Sequence, residues 1–526
     1  MQDDATRTEA FFDRGFYLQS YPDVATSGVD AFAHYCSMGW REGRNPNAVF
    51  DTRYYLTQNY DVASAGLNPL EHYAQSGRKE GRRPAHPLRE QRGYVQNGFH
   101  LLASASGCAT RGRPGERVLG KTELVSLLRE AWREGPTVLS VSHDEFAKNV
   151  GGVQKLILTE EERCAETGWN YLHLAPAMPG GGLARRSPTE PSALAVRLNG
   201  RTFGLVTPHT LIAALQAAIE PGSETYAVIH HLMGHDPDDL GDIIDALKCR
   251  RVVAWVHDFY TLCSGIQLLR NDVVYCGAPE ASSMACGICR HGQGREAFLA
   301  RLATFFARFT PDVLAPSRAA LAIWQESTSL TFRSAGVRAL GRLLMAGAQM
   351  PYGSRSAGEK LRIAYLGHRV RLKGWSVFRD LAERFRHDPR YEFHHLGMDH
   401  GVVGPGNIIH TPVNIAEDGE DAMIRSVAAL NIDAVLLWSL CAETFCYAAH
   451  EAIAAGAFLL APRGPGNVPD LIREQVPEQG LLLDDETQLT ELLRSGQIFT
   501  LLDLSPRQRG HLMKQGDTIA WLEELV

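Results

Sequence analysis

Short apolar runs alternate with amphipathic segments over most of residues 136–526. A first series of runs is TVLSVSHD, YLHLAP, YAVIHHLMG, RVVAWVHD and DVLAPS, and a second is LRIAYLGH, YEFHHLGM, NIIHTP, IDAVLLWS, GAFLLAP and GLLLDD. Continuous apolar strands that alternate with helices predict parallel sheets covered on both faces. The alternation lapses near residues 336–360. We therefore predict an α/β protein with two Rossmann-like domains, 136–335 and 361–526, joined by a linker at 336–360. We expect the last helix, Arg507 to Val526, to pack back on the first domain.

A different pattern occupies the first 85 residues, where a motif that begins at Phe12 recurs from Phe50. Equivalent residues, such as His34 and His72, stand 38 positions apart. A repeat of this length is usually one supersecondary unit whose apolar face needs a neighbour. We predict a small helical repeat region at 1–85, with the paired histidines in its core rather than as ligands. A linker follows at 86–135, because its first part is polar and rich in Gly and Arg.

Composition excludes some classes of protein. The 526 residues are 44% hydrophobic and 21% charged, as in globular proteins, and the formal net charge of −7 argues against a nucleic-acid partner. The start shows no secretory signal pattern, and no apolar run approaches the length of a membrane span. We expect a cytoplasmic protein and leave open peripheral contact with the inner face of the membrane.

The segment VLLWSLCAETFCYAAHEAIAAGAFLLAP predicts a strand, a helix and a second strand. Glu443 is placed at the start of the helix and Glu451 eight residues later, which a helical rise converts to about 12 Å. The carboxyl edge of a parallel sheet is where open α/β sheets bind ligands, and a helix N-terminus there favours phosphate. The alternative is a surface helix with two solvated glutamates.

This stretch resembles the signature of two glutamates separated by seven residues in retaining GT-B glycosyltransferases of family 4. The resemblance covers about residues 136–500. It implies that Glu443 contacts the donor sugar and that Glu451 holds the ribose hydroxyls of a nucleotide diphosphate sugar. It also implies that the backbone amides of Thr444 and Phe445 bind the distal phosphate.

The loop after the first strand carries Gly151 and Gly152 just before a helix. Two glycines allow a diphosphate to approach the backbone closely, and the helix supplies N–H groups. The Gly-Gly loop of the same family matches this position; a simple turn is the alternative.

Basic residues follow the first strand of the second domain, in GHRVRLKGW. The resemblance is to the Arg and Lys that clamp the leaving diphosphate, and we favour Arg369 over Arg371 as the partner of Lys373. Fixed cations in a closed cleft stabilise the charge that builds on a leaving diphosphate. Catalysis through these groups needs no metal.

His257 and Asp258 end another strand, in RVVAWVHD. A histidine at this place resembles the family residue that contacts the donor sugar, and Asp258 is a candidate to orient it or to touch the acceptor. A strand-end histidine bonded to backbone is the structural alternative.

Four cysteines fall within a predicted insert at 259–292: Cys263, Cys276, Cys286 and Cys289. Four thiolates with one close pair could bind a structural zinc ion. Unligated thiols and a redox role are the alternatives.

Together these features predict a metal-independent glycosyltransferase. It would move a sugar from a nucleotide diphosphate sugar to a glycan or lipid-linked acceptor, with retention, in bacterial surface polysaccharide or glycoconjugate synthesis. A nucleotide-sugar 2-epimerase of the same fold is one alternative. A non-catalytic scaffold, with a protein partner bound through residues 12–85, is another.

Overall fold

A computed structural model describes residues 8–85, 117–148, 151–177, 182–185, 192–219, 222–345, 350–351, 359–398, 406–514 and 518–524. Most of the predicted linker at 86–135, and parts of the one at 336–360, lie outside these residues. The chain forms two compact units. The first, called the repeat unit below, comprises residues 1–105, 268–295 and 483–498; the second, the two-sheet unit, comprises 106–267, 296–482 and 499–526. The predicted domain boundaries stay a prediction.

The α-helices of the described chain are α1 (Arg14–Ser20), α2 (Pro22–Ser27), α3 (Ala31–His34), α4 (Thr52–Gln58), α5 (Tyr60–Ser64), α6 (Pro69–His72), α7 (Lys121–Ala131), α8 (Gly152–Thr167), α9 (Pro208–Ala218), α10 (Pro237–Ala246), α11 (Met284–Gly287), α12 (Arg295–Phe309), α13 (Arg318–Ser327), α14 (Trp375–Arg384), α15 (Ile415–Asp418), α16 (Ala422–Ala429), α17 (Tyr447–Ala455), α18 (Asn467–Glu474), α19 (Glu486–Arg494), α20 (Gln497–Leu504) and α21 (Thr518–Glu523). Short π-helical turns follow α3 and α6, and 3-10 turns occur at Phe146–Lys148 and Arg371–Lys373.

The strands are β1 (Thr137–Val141), β2 (Asn170–Pro176), β3 (Leu194–Leu198), β4 (Arg201–Val206), β5 (Thr225–Ile229), β6 (Arg251–Trp255), β7 (Leu269–Arg270), β8 (Val274–Tyr275), β9 (Asp312–Ala315), β10 (Ser334–Val337), β11 (Gly341–Met345), β12 (Met350–Pro351), β13 (Leu361–Leu366), β14 (Tyr391–Leu396), β15 (Ile408–Thr411), β16 (Ala434–Leu436), β17 (Phe458–Pro462), β18 (Gly480–Leu483), β19 (Pro506–Arg507) and β20 (Gly510–Lys514).

The first sheet has the strand order β10-β9-β6-β5-β1-β2-β3-β4. β1 lies between β2 and β5 and is parallel to both. Every residue of β1 and β5 is buried, as the continuous apolar runs indicate for strands covered on both faces. β3 and β4 form an antiparallel hairpin whose two turn residues, Asn199 and Gly200, have φ of 48° and 85°. Positive φ at both turn positions is what Asn-Gly hairpins adopt.

The second sheet has the strand order β15-β14-β13-β16-β17-β18. Numbered within the sheet, this is the 3-2-1-4-5-6 order of doubly wound nucleotide-binding folds. β13 lies between β14 and β16, parallel to both, so the connections that follow β13 and β16 diverge to opposite sides and leave a crevice at their carboxyl ends. The prediction of an α/β fold with two Rossmann-like sheets after a helical region is confirmed.

The end of the described chain returns to the first sheet. β20 pairs with β11 in an antiparallel ladder, although residues 510–514 were expected to be helical. The helix is shorter than expected, since α21 starts only at Thr518. Ile519 and Leu522 of α21 are buried in the core cluster that contains Val138 of β1. Packing of the last helix on the first domain is therefore confirmed.

The repeat unit has an aromatic core built from equivalent positions of both repeats. The hydroxyl of Tyr17 bonds Nδ1 of His34 at 3.0 Å, and the equivalent Tyr55 bonds His72 at 2.9 Å. Burial, and to a smaller extent the nearby Arg44, lowers the pKa of His34 to about 4. The paired histidines are thus hydrogen-bonded within the repeat unit, His34 fully buried and His72 partly buried.

Each repeat also contains one arginine bonded to two carboxylates, called here the charge triad. The first triad is Asp23, Glu42 and Arg44; the second is Asp61, Glu80 and Arg82. The Arg44 and Glu42 side chains are 0% exposed, whereas the Arg82 and Glu80 side chains are 21% and 44% exposed. Among the described residues, only the first triad has a further cation: Nε of Arg270 lies 2.7 Å from the Glu42 carboxylate, an ion pair without hydrogen-bond alignment.

Long apolar helices are absent from the described residues: none is long and apolar enough to cross a membrane. The amphipathic helix α12 buries Leu302, Phe305 and Phe306. Its apolar face is therefore used for packing within the protein.

Candidate active site

Glu443 lies in the loop after β16 and not on a helix. Helix α17 begins at Tyr447, with Cys446 in an extended conformation at its N-cap. The expectation of two carboxylates on one helix is therefore wrong, and only Glu451 is helical. The loop is held extended by the neighbouring turn, because the Asn467 N–H donates to the Glu443 carbonyl at 2.7 Å and the Asn467 side chain accepts from the Cys446 N–H at 3.3 Å.

The Glu443 carboxylate forms an ion pair with Lys373 from the loop after β13. Lys373 Nζ lies 2.6 Å and 2.5 Å from the two oxygens, and the Ser439 hydroxyl donates to the same carboxylate. The Glu443 side chain is 8% exposed and that of Lys373 is 50% exposed. Partial burial works against the ammonium charge, but Glu443 outweighs it and the pKa of Lys373 is raised. The structure thus brings together two residues that are 70 positions apart in the chain.

Two glycines allow the loops after β13 and β17 to approach the loop after β16. Gly374 has φ of 85°, and a Cβ there would lie 2.3 Å from the carbonyl oxygen of Trp438. Gly466 has φ of 111°, and a Cβ there would lie 2.7 Å from the backbone nitrogen of Glu443. Any side chain at either position would displace backbone that carries the ion pair.

Glu451 is buried on α17. Burial raises its pKa to about 7; Lys155 of α8 opposes this rise and Asp421 adds to it. Lys155 Nζ lies 5.4 Å from the centroid of the Tyr447 ring, at the start of the same helix. A carboxylate with a neutral-range pKa is therefore placed beside a cation from the first sheet's helix α8.

The predicted Gly-Gly turn lies at the start of α8. Gly151 is the N-cap of that helix and Gly152 is its first residue. A Cβ on Gly152 would lie 3.4 Å from the Tyr447 ring. The N-terminal turns of α8 and α17 therefore meet, one from each sheet.

Thr444 and Phe445 connect the Glu443 loop to the first sheet. The Thr444 hydroxyl donates to the carbonyl oxygen of His257 at 2.6 Å. The Phe445 ring stacks on His450 at 4.4 Å and packs against the core of the first sheet. Within the part of the chain that the structure describes, the backbone amides of Thr444 and Phe445 have no hydrogen-bond acceptor. Two N–H donors thus remain beside the ion pair.

His257 follows β6, and its ring stacks on Trp255 and on His230, with centroid distances of 5.0 Å and 5.4 Å. Burial and the neighbouring His230 and His231 lower the pKa of His257 well below its usual value. Asp258 bonds His231 at 3.0 Å, so it does not orient His257. Nε2 of His257 instead lies 3.1 Å from Nδ1 of His230.

Arg369 has a separate set of contacts. Its Nε donates to Nδ1 of His395 at 3.1 Å, and its guanidinium lies 5.3 Å from the Trp375 ring centroid. Arg371 lies in the 3-10 turn that ends at Lys373. The choice of Arg369 over Arg371 stays a prediction.

The four cysteines of the predicted zinc site are free thiols: Cys263, Cys276, Cys286 and Cys289. Cys286 Sγ lies 3.0 Å from a guanidinium nitrogen of Arg295, and Cys289 Sγ accepts the Asn271 N–H at 3.4 Å. Across the described ranges no three His, Cys, Asp or Glu side chains are grouped so as to hold a metal. The zinc prediction is therefore not supported, because sulfur atoms expected to face a metal face protein N–H donors.

Sequence reasoning missed several residues that shape this site. Ser439, Lys155 and His395 carried no motif that marked them. Glu160 did carry a signal, because it falls at a helical spacing with the apolar residues Leu156 and Ile157 of α8, and all three are buried.

Comparison with known proteins finds similarity only at the level of three-dimensional structure. No protein-family model matches the chain, and no curated protein sequence matches it. The sucrose-phosphate synthase of Thermosynechococcus elongatus aligns with 14% identity and a TM-score of 0.41, over 70% of this chain and 92% of that protein. HepE of Anabaena in complex with UDP-glucose aligns with 11% identity and a TM-score of 0.38, over 73% and 94%. An α,α-trehalose-phosphate synthase of Burkholderia vietnamiensis aligns with 10% identity and a TM-score of 0.38, over 70% and 91%.

Proposed function

We propose that this chain is a glycosyltransferase that moves a sugar from a nucleotide diphosphate sugar to a glycan or lipid-linked acceptor, with retention of configuration. The observation that supports the proposal most is the ion pair between Lys373 and Glu443. It lies where the connections from β13 and β16 diverge, which is where ligands of open α/β sheets bind. A fixed cation and a fixed carboxylate at this point suit a donor that carries both a diphosphate and a sugar.

Charge development during the reaction explains the need for Lys373. Cleavage of the bond between the anomeric carbon and the phosphate oxygen leaves negative charge on the nucleoside diphosphate. The raised pKa of Lys373 keeps its ammonium protonated, so it is ready to stabilise that charge. The amides of Thr444 and Phe445 are further donors for a phosphate, and they lie just ahead of the N-terminus of α17. The leaving phosphate would take the proton of the acceptor hydroxyl on the same face of the sugar.

The residues around Tyr447 would bind the nucleotide. Glu451 would accept hydrogen bonds from the ribose hydroxyls, and the backbone N–H groups at the start of α8, where Gly151 and Gly152 carry no side chain, would bind a diphosphate. Neither task needs a metal ion. Roles in surface polysaccharide synthesis, contact with the membrane, and a protein partner of the repeats also remain proposals.

Donor hydrolysis tests the proposal directly. The purified protein, incubated with a panel of UDP-, GDP-, ADP- and dTDP-sugars, should slowly release one free nucleoside diphosphate, measured by chromatography. Lys373→Ala should lower that rate by roughly 100- to 1000-fold, the usual effect of removing one donor to a developing anion.

Arg386→Ala is the matched control. Arg386 forms an ion pair with Glu383 in the same half of the two-sheet unit, and its side chain is 45% exposed, close to the 50% of Lys373. This variant should retain the full rate. Equal loss in both variants, or turnover of no donor by the unaltered protein, would reject the glycosyltransferase proposal and favour a scaffold.

A further inference from the structure

The buried carboxylate of Glu160 is connected to His257 through two hydrogen bonds. Oε2 of Glu160 lies 2.9 Å from Nε2 of His230, and Nδ1 of His230 lies 3.1 Å from Nε2 of His257. The side chains of Glu160 and His230 are 0% exposed. The series Glu160–His230–His257 is called the histidine relay below.

The hydrogen-bond partners fix where each hydrogen lies. The Trp255 indole can only donate, and it donates to the Thr518 hydroxyl at 2.9 Å, so that hydroxyl has its own hydrogen left for Glu160. An ionised carboxylate only accepts, and therefore Nε2 of His230 carries its hydrogen toward Glu160. With this as its single ring hydrogen, His230 accepts at Nδ1, and the donor that faces it is Nε2–H of His257.

The consequence for His257 is a single tautomer. Its one hydrogen sits on Nε2, and within the described residues Nδ1 has no hydrogen-bond donor facing it. The carbonyl of the same residue accepts the hydroxyl of Thr444, so His257 lies against the loop that carries Glu443. The stacked rings of Trp255 and His230 hold the imidazole plane in place.

We propose that Glu160 and His230 are positioning residues that hold His257 as a hydrogen-bond acceptor, through Nδ1, for a hydroxyl group of the donor sugar. The sugar contact rests on the proposed function, whereas the tautomer does not. The relay also distinguishes two roles of Glu160. One oxygen directs the histidines, and the other bonds Thr518 at the start of α21.

Nitrogen-15 NMR of histidine-labelled full-length protein measures the tautomer without any substrate. The signal of His257 is assigned by its loss in a His257→Gln variant. We expect the Nε2–H tautomer in the unaltered protein. His230→Phe keeps the ring stack but removes the acceptor, so His257 should then populate both tautomers. An Nδ1–H tautomer or an imidazolium at neutral pH in the unaltered protein would overturn the relay.

Kinetics then separates positioning from a purely structural role. His230→Phe should lower kcat/KM for the hydrolysed donor by about tenfold, as expected for one lost hydrogen bond. The deoxy analogue that lacks the contacted hydroxyl should be hydrolysed equally by both proteins. Arg386→Ala, at a half-exposed ion pair outside the relay, should leave kcat/KM unchanged.

The outcomes distinguish the two proposals. Hydrolysis of no donor, together with the Nε2–H tautomer, rejects the function and leaves the relay in place. Hydrolysis with the Nδ1–H tautomer rejects the relay alone. If every deoxy analogue showed the same tenfold effect of His230→Phe, the sugar contact would be rejected.

Discussion

At the scale of single residues, Glu451 combines a cost in stability with a proposed role in ribose binding. Burial disfavours its ionised form and raises its pKa to about 7, although Lys155 opposes the shift. Ribose hydroxyls would supply the hydrogen bonds that an ionised carboxylate lacks in this place. The same burial that destabilises the free protein would therefore make the carboxylate a strong acceptor for a ligand.

We predict that Glu451 makes stability fall as pH rises from about 4.5 to 7. The folded state holds the proton more tightly than the unfolded state, whose pKa is near 4.5, so the stabilisation is complete below that value and is lost by about pH 7. The shift corresponds to about 3 kcal/mol. Urea unfolding at several pH values should show this slope in the unaltered protein and a flatter one in Glu451→Gln. Glu417→Gln changes an exposed glutamate between β15 and β16 of the second sheet and should keep the slope. An unchanged slope in Glu451→Gln would contradict the assignment of the slope to Glu451.

Several site residues could be predicted from sequence because they follow apolar strands. Lys373, Glu443 and His257 are all found in loops at carboxyl ends of strands, where a parallel sheet collects them. Their partners could not be predicted. Ser439 contacts Glu443 within one loop, whereas Lys373 and Glu443, like Glu160 and His230, are 70 residues apart and share no local pattern.

At the scale of elements, the two charge triads place the same three residue types in different surroundings. The first triad is buried and has Arg270 as an added cation; the second is exposed. The net charge of each triad is negative by one unit, which in a buried site needs a counter-charge. The insert at 268–295 supplies it to the first repeat.

We predict unequal effects of removing the two arginines. Arg44→Ala would leave Asp23 buried without an ion-pair partner and Glu42 with Arg270 as its remaining cation, and should cost about 3–5 kcal/mol. Arg82→Ala breaks an exposed pair and should cost about 0–1 kcal/mol. Peptide-level hydrogen exchange across residues 12–85 would measure both local stabilities, and similar protection in the two variants would show that burial of the first triad is unimportant.

Elements with strong local patterns were predictable, and those defined by distant pairing were not. The apolar runs identify the central strands of both sheets. The β3–β4 hairpin was missed although Asn199-Gly200 is a hairpin signal, because its strands are less continuously apolar. β11 and β20 were missed because each forms a strand only through the other, about 170 residues away.

At the scale of the whole molecule, the compact units are assembled from distant parts of the chain. The repeat unit takes in residues 268–295 and 483–498, which no sequence pattern linked to the repeats. The two-sheet unit holds every residue proposed for donor binding. Nucleotide binding should therefore stabilise that unit in particular.

We predict that one nucleoside diphosphate of a panel raises the melting temperature of the full-length protein. A ligand present at 100 times its Kd stabilises the folded state by about 2.7 kcal/mol. Glu451→Ala should reduce the shift, whereas Arg82→Ala in the repeat unit should leave it unchanged. A shift of the same size in all three proteins would place the nucleotide elsewhere.

The hydrogen bond between Thr518 and Glu160 connects α21 to the histidine relay. A preparation that a protease has cut just before α21 would lose a helix that packs on the first sheet. It would also lose the Thr518 hydroxyl, which bonds Glu160. Such a sample should still retain nucleotide on the second sheet while turning over poorly. Intact mass is accordingly the first thing to check when a batch binds nucleotide but does not react.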